Sequence, residues 1–178
     1  LQTLQKHKQL DEEEKNKIYA NALHEVKRLD SIVSNILVAR QIEGGDSIIQ
    51  KEPIELHDFI QTKLDIFKHS IAKNHSIKAN LTTIIAEVDK IAIDSILTNL
   101  VENSVKYSEP GTEIHVKLSQ NNTAFVLRVS DNGSGISDQN KEHIFKKFYR
   151  EQNDLTRTTK GTGLGLFIVK HLVNSHKG

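Results

Sequence analysis

The run NLVENSVKYS, residues 99–108, follows an apolar stretch and sets amides, a carboxylate and an ammonium where a buried helix would carry leucine. Asn99 and Asn103 are four apart, and Glu102 and Lys106 lie three and seven beyond Asn99, so on a helix the four share one broad face. Buried amides are costly unless hydrogen-bonded, and such a stripe implies a polar ligand or a hydrated ion. Amide carbonyls suit Mg²⁺, a hard cation that keeps water and phosphate in its shell. Lys106 could then neutralise a phosphate. Ordinary capping where the helix frays near Tyr107 and Ser108 accounts for the same residues without a ligand, and the stripe alone does not choose.

Two glycine-rich turns add to it. DNGSGIS, 131–137, brings Asp131, Gly133 and Gly135 to the end of an alternating run. Glycines permit close backbone approach to a flat or anionic ligand, and an ionised aspartate accepts from an exocyclic amine such as that of adenine. Simple turn chemistry would produce the same letters. KGTGLGL, 160–166, places Gly161, Gly163 and Gly165 at a helix start, where free amides and the helix dipole make an anion site. It lacks the G-x-x-x-x-G-K-[ST] spacing and is not that phosphate loop, and a flexible hinge is its other explanation. An amide-bearing helix for Mg²⁺ and phosphate, an acidic turn for a base and a glycine turn for phosphate together amount to an ATP pocket.

Positioning these groups requires alternating periods. DKIAIDSILTNLVENSVKY, 89–107, reads as a helix opened by an aspartate cap, and EIHVKLSQNNTAFVLRVSD, 113–131, as two strands turning at Asn121-Asn122. SIIQKEPIEL, HSIKANL and TIIAEV read as strands, SDQNKEHIF as a short helix, and GLGLFIVKHLVNSH as the last helix. LHDFIQTKLDIFKHSIAKN is an amphipathic helix with Leu56, Phe59, Ile60, Leu64 and Phe67 on one face. The expected class is α+β: a two-layer α/β sandwich, one mixed sheet with helices on one face. Ahead of it, Ala22, Val26, Leu29, Val33 and Ile36 form a narrow helix-pairing seam opened by the acidic DEEE at 11–14 and ended by EGGD. That arm, residues 1–45, is expected to belong to a helical hairpin in a dimeric bundle, with the catalytic domain at 46–178.

Composition narrows the function. Lys+Arg 24 against Asp+Glu 23, interspersed, gives no nucleic-acid footprint, and the absence of cysteine excludes a thiolate nucleophile, a disulfide framework and a cysteine metal site. No apolar run approaches the roughly 18 residues of a membrane helix, so no membrane contact is expected of these residues.

NLVENSVKYS, DNGSGI, IFKKFYR (144–150) and GTGLGL, in that order, resemble the four nucleotide-binding boxes of sensor histidine kinases, which belong to a superfamily with DNA gyrase, ninety-kilodalton heat-shock chaperones and mismatch-repair ATPases. The resemblance implies a cytoplasmic kinase core that uses ATP and Mg²⁺, in a parent protein anchored in the inner membrane. It implies Asn103 on the metal; Asn99, Lys106 and Tyr107 around phosphates and sugar; and Asp131, with Gly133, Gly135 and Ile136, at the base. It implies a lid over 149–160, with Arg150, Arg157 and Lys160 toward phosphate, bordered by Phe148 and by Gly161, Thr162, Gly163, Leu164, Gly165 and Leu166. Asn99 stands where hydrolytic relatives carry a glutamate that activates water; an amide cannot take a proton, so transfer is favoured, with Glu102 a nearby carboxylate to orient the nucleophile. Expected partners are a response-regulator receiver domain and a second copy of the arm.

HEVKRL, 24–29, resembles the start of the kinases' phosphoacceptor box, but Leu29-Asp30 follows where Thr-Pro is usual, and one helix then runs to Gly44-Gly45. His24 is therefore not expected to be the acceptor, which would lie upstream of Leu1. The segment NSHKG resembles the kinases' chain before a closing pair of strands. Two rival functions are an ATP-hydrolysing switch of the same superfamily and a catalytically inactive, nucleotide-binding dimeric scaffold.

Overall fold

The computed structural model describes residues 11–44, 49–121, 124–150 and 161–178. Helix α1 (Glu12–Gly44) opens with Glu12, Glu13 and Glu14 in its first turn, and Asp11 caps it by accepting from the Glu14 amide at 2.7 Å. Its seam stays in solvent: Val26, Leu29, Val33 and Ile36 are each about half exposed. Only toward its C-terminal end does α1 meet the rest of the chain, where Ala39 is buried and the helix lies against the last helix. An apolar stripe left bare by its own fold is what a helix awaiting a partner presents.

The remaining elements form the sandwich. Strand β1 (Glu52–Glu55) leads directly into α2 (Leu56–His69), because the Glu55 carboxylate accepts from the amides of His57 and Asp58 and starts the helix there. Leu56, Ile60, Leu64 and Phe67 then recur at helical spacing and are buried, with Phe59 half-buried beside them. Strands β2 (Ser76–Leu81) and β3 (Ile85–Val88) precede α3 (Lys90–Tyr107), whose cap is Asp89, accepting from the Ala92 amide at 3.0 Å. The hairpin β4 (Glu113–Gln120) and β5 (Phe125–Ser130) follows, then the short α4 (Asp138–Lys141) and α5 (Gly165–Ser175).

Among the described residues the strands form the expected mixed sheet and, beside it, a two-stranded ribbon. β2, β4 and β5 make a mixed sheet, β2 parallel to β4 in the register Ile77↔Ile114 and β4 antiparallel to β5 in the register Val116↔Val129. β1 and β3 form a separate antiparallel ribbon. The ribbon is short because Pro53 lacks an N–H and because Glu55 commits Leu56 to the helix; the ten-residue run at 47–56 therefore yields a four-residue strand. Ile114, Val116 and Leu118 are buried on β4 while His115 and Lys117 are exposed, and Val116 and Leu118 share one core with Leu64, Leu97 and Ile168 from the three long helices that follow β1. The run 137–145 gives only the four-residue α4: beyond it, His143 N donates to Asn140 O and Lys146 N to His143 O, both at 2.8 Å, the tighter three-residue repeat. No helix among the described residues is long and apolar enough to cross a membrane.

Candidate functional site

The last turns of α3 carry the polar stripe, and burial sorts its members. Asn99 is 9% exposed, and its amide nitrogen donates to Ser95 O at 2.9 Å. Its carbonyl faces the start of α5: a Cβ on Gly165 would stand 2.6 Å from Asn99 Oδ1, so glycine lets the two helices close up there. One turn on, Asn103 is half-buried and its side chain makes no hydrogen bond among the described residues. Glu102 keeps part of its surface in water, yet the protein around its carboxyl raises its pKa above the ordinary carboxylate value, with Lys106 pulling the other way. Lys106 Nζ lies 4.8 Å from the centre of the Tyr107 ring and against Gly161, where a Cβ would meet it. No carboxylate pairs with this ammonium among the described residues, which leaves it available to an anion.

Asp131 ends β5 and is held from two sides. Its Oδ2 accepts from Ser104 Oγ at 2.9 Å and its Oδ1 from the Gly133 amide, also at 2.9 Å. A carboxylate offers about four acceptor positions, so both oxygens retain capacity for a ligand donor. The turn beyond is sewn to the end of α3, since Ser134 N donates to Tyr107 O at 3.4 Å and a Cβ on Gly133 would collide with that same carbonyl. Gly135, at φ 72°, faces open space, and Ile136 beside it is 43% exposed.

The second glycine run joins the opposite side. Phe148 adopts φ 62° and donates its N–H to Gly163 O at 3.0 Å, while Gly163 at φ 71° has Phe148 and Tyr149 backbone atoms 2.7 Å from where a Cβ would stand. The two ends of the segment expected to be a lid are thus tied together, with the Phe148 ring in solvent. Tyr149, at the base of that segment, donates to Asn140 Oδ1 at 2.6 Å. The expected lid residues Arg157 and Lys160 lie outside the described residues; Arg150 is at its described edge. Helix α5 starts without a side-chain cap at Leu164, and among the described residues only Thr162 Oγ1 reaches the Leu164 amide, at 3.3 Å, so first-turn amides of α5 have no described side-chain partner. Leu164 itself is fully buried and its side chain serves the core, while Leu166 is half-buried.

The structure therefore brings Asn103, Lys106, Tyr107, Asp131, Gly133, Gly161 and Gly165 around the C-terminal half of α3, from runs up to about sixty residues apart. Sequence reasoning passed over Ser104, buried at 4% exposure, which links α3 to Asp131. Only its place directly after Asn103 hinted at a role. His24 lies on α1 with its side chain outside the described residues. Among the described residues one group of carboxylate and imidazole side chains lies close enough together to share a cation, Glu55, His57 and Asp58 at the start of α2, with Glu55 committed to capping that helix.

Comparison with known proteins gives the family. Residues 88–178 match the family of histidine kinase-, DNA gyrase B- and HSP90-like ATPases. The sensor protein SrrB of Staphylococcus aureus is 30% identical over 162 residues, which is 89% of this chain and 28% of SrrB. The chain thus spans less than a third of that relative. The mycobacterial sensor histidine kinase MprB superposes with a TM-score of 0.62 at 26% identity, covering 71% of this chain and 80% of the MprB chain. Full-length ShkA in complex with AMPPNP superposes with a TM-score of 0.72 at 23% identity, over 94% of this chain and 35% of that one, and shares the fold. The chain belongs to the histidine kinase-, DNA gyrase B- and HSP90-like ATPases, and within them it carries the ATP-binding domain of a sensor histidine kinase.

Proposed function

We propose that this site binds Mg·ATP and transfers its γ-phosphoryl to a histidine imidazole, from which the phosphoryl passes to an aspartate of a response regulator. The observation that carries the reading is the pairing on one helix: Asn103 and Lys106, uncommitted among the described residues, stand next to Ser104, which holds Asp131. Asp131 accepts from the adenine amine with its orientation already set, so little ordering is lost on binding. The open face of Gly135 admits the base, and Lys106 with the first amides of α5 meets phosphate oxygens. The fit to a divalent cation rests on donor chemistry: Asn103 offers a hard oxygen beside Glu102, in a half-buried place. When bound there, Mg²⁺ supplies charge neutralisation at the phosphates.

Catalysis in phosphoryl transfer is largely positioning and electrostatics. Asn99 cannot act as a base, and its amide is occupied by Ser95, which favours a protein acceptor over water. Glu102, the carboxyl one residue before Asn103, whose pKa burial raises above the ordinary value, orients the incoming imidazole, which is itself a competent nucleophile near pH 7. The bare seam of α1 joins a second copy in the full protein, and the phosphoacceptor is supplied from a helix other than α1. ShkA's complex with AMPPNP supports nucleotide as the ligand.

The test is incubation with γ-labelled Mg·ATP and a separate upstream helix bearing a candidate histidine. Acid-labile, base-stable label on that helix is expected. Label on the chain itself that vanishes in His24→Gln would instead make His24 the acceptor, and steady release of phosphate with no labelled protein would favour a hydrolytic switch.

A further inference from the structure

At the end of the α3 and α5 pair remote from the glycines, His176, the residue closing α5, makes two hydrogen bonds that the nucleotide chemistry does not use. The Asp89 amide donates to its Nε2 at 3.0 Å, and its Nδ1 faces Leu172 O at 2.7 Å. These partners fix the tautomer. An amide N–H can only donate, so Nε2 must be bare; a carbonyl can only accept, so Nδ1 must carry the proton. Asp89 is in turn the cap of α3, its carboxylate accepting from Ala92 N and Gln50 N. Burial pushes that carboxyl up, but the amides of Ala92, Gln50 and Ile91 more than offset it and hold it low.

The two helices run antiparallel, and they touch at a second fixed point, where Gly165 meets Asn99. From Asp89 to Asn99 is ten residues and from Gly165 to His176 eleven, so at about 1.5 Å per residue the two points are roughly 15–16 Å apart on either helix. The buried core that Leu97 and Ile168 share is apolar and non-directional, whereas these two contacts, at opposite ends of the pair, are specific to one register of α5 on α3, and with it to the placing of Gly165 against Asn99.

We propose that His176 is a positioning residue for the nucleotide site, a neutral-imidazole clamp that sets the register of α5 against α3 from the far end. The clamp rests on the reading of the site as an Mg·ATP site. It acts on the phosphate-binding amides through the helix and touches no ligand.

The experiment measures the dissociation constant of Mg·ATP, well below the melting temperature, for the parent chain, His176→Ala, His176→Gln and Ile77→Val. Gln keeps an acceptor near the Nε2 position; Ile77→Val in β2 is a core change remote from both helix ends that serves as the stability control. Loss of one net hydrogen bond predicts that His176→Ala weakens binding about threefold to tenfold, that His176→Gln returns it to within about twofold of the parent, and that Ile77→Val leaves it unchanged. Equal affinity in His176→Ala, no recovery in His176→Gln, or the same weakening in Ile77→Val would each overturn the clamp. The nitrogen shifts of the His176 imidazole give an independent readout: a proton on Nδ1 is expected, and a proton on Nε2 overturns the proposal whether or not nucleotide binds. A folded parent that binds no Mg·ATP ends the site reading as well as the coupling, whereas binding by the parent with an indifferent His176→Ala ends the clamp alone.

Discussion

Replacing Ser104 with alanine removes one hydroxyl and leaves no unsatisfied group on α3, because among the described residues Oγ only donates to Asp131 Oδ2. A hydrogen bond to a charged acceptor is worth about 1.5–3 kcal/mol. Asp131 is exposed, so water replaces part of the lost donor, and a net cost of about 1 kcal/mol is the working figure. In a chain of this size that lowers Tm by about 2–4 °C. The functional consequence exceeds the stability loss in specificity. Asp131 keeps only the Gly133 amide as a tether, its carboxylate samples other rotamers, and the adenine amine meets a less organised acceptor. Mg·ATP binding is expected to weaken about fivefold, while Mg·ITP, whose base has no exocyclic amine, changes little. Calorimetric titration of both nucleotides with parent and Ser104→Ala measures the ratio directly. An unchanged Tm together with an unchanged ATP:ITP ratio would refute the role given to Ser104.

Three further outcomes follow from the same geometry. Gly165→Ala drives a Cβ to 2.6 Å from an Asn99 oxygen whose amide is anchored to Ser95, and the overpacking should cost about 1–3 kcal/mol in denaturant melts; a neutral result would mean the helices can part freely. Burial raises the Glu102 pKa above its ordinary value of 4.5, so the ionised carboxyl opposes folding at neutral pH and that penalty fades as pH falls through the raised value and below 4.5. Glu102→Gln should therefore be the more stable protein near pH 7, with its advantage shrinking on acidification; an advantage that grows toward low pH contradicts the assignment. Val33→Lys, on the bare seam of α1, should lower self-association in sedimentation without altering Mg·ATP affinity, and unchanged association would remove the seam from the dimer interface.

The elements that carry the site were legible because local chemistry and long-range packing agree in them. Asp89 caps α3 as its type and place suggest, and the alternation of Ile114, Val116 and Leu118 is borne out by their burial. What stayed hidden depends on partners distant in sequence. Nothing near Pro53 says that β1 pairs with β3 alone instead of entering the main sheet, since pairing is decided by which edges meet. Ser104 and Asp131 are 27 residues apart, and a serine within an apolar helix carries no mark of a carboxylate waiting at a strand end. The same holds for His176 and Asp89, 87 residues apart, where an ordinary helix-end histidine proves to hold a cap amide. The stripe 99–106 read as one face, yet the fold gives it different depths: Asn99 turns to α5 while Asn103 and Lys106 stay accessible.

The central claim is that Asp131 and the polar end of α3 form one Mg·ATP site. Its most direct test is calorimetric titration of the folded chain with ATP, with and without Mg²⁺, alongside Asp131→Asn. The account predicts saturable binding that requires Mg²⁺ and falls about tenfold or more in Asp131→Asn, which loses the charge facing the adenine amine. A folded chain that binds no ATP, or an Asp131→Asn variant that binds it as tightly as the parent, would contradict it.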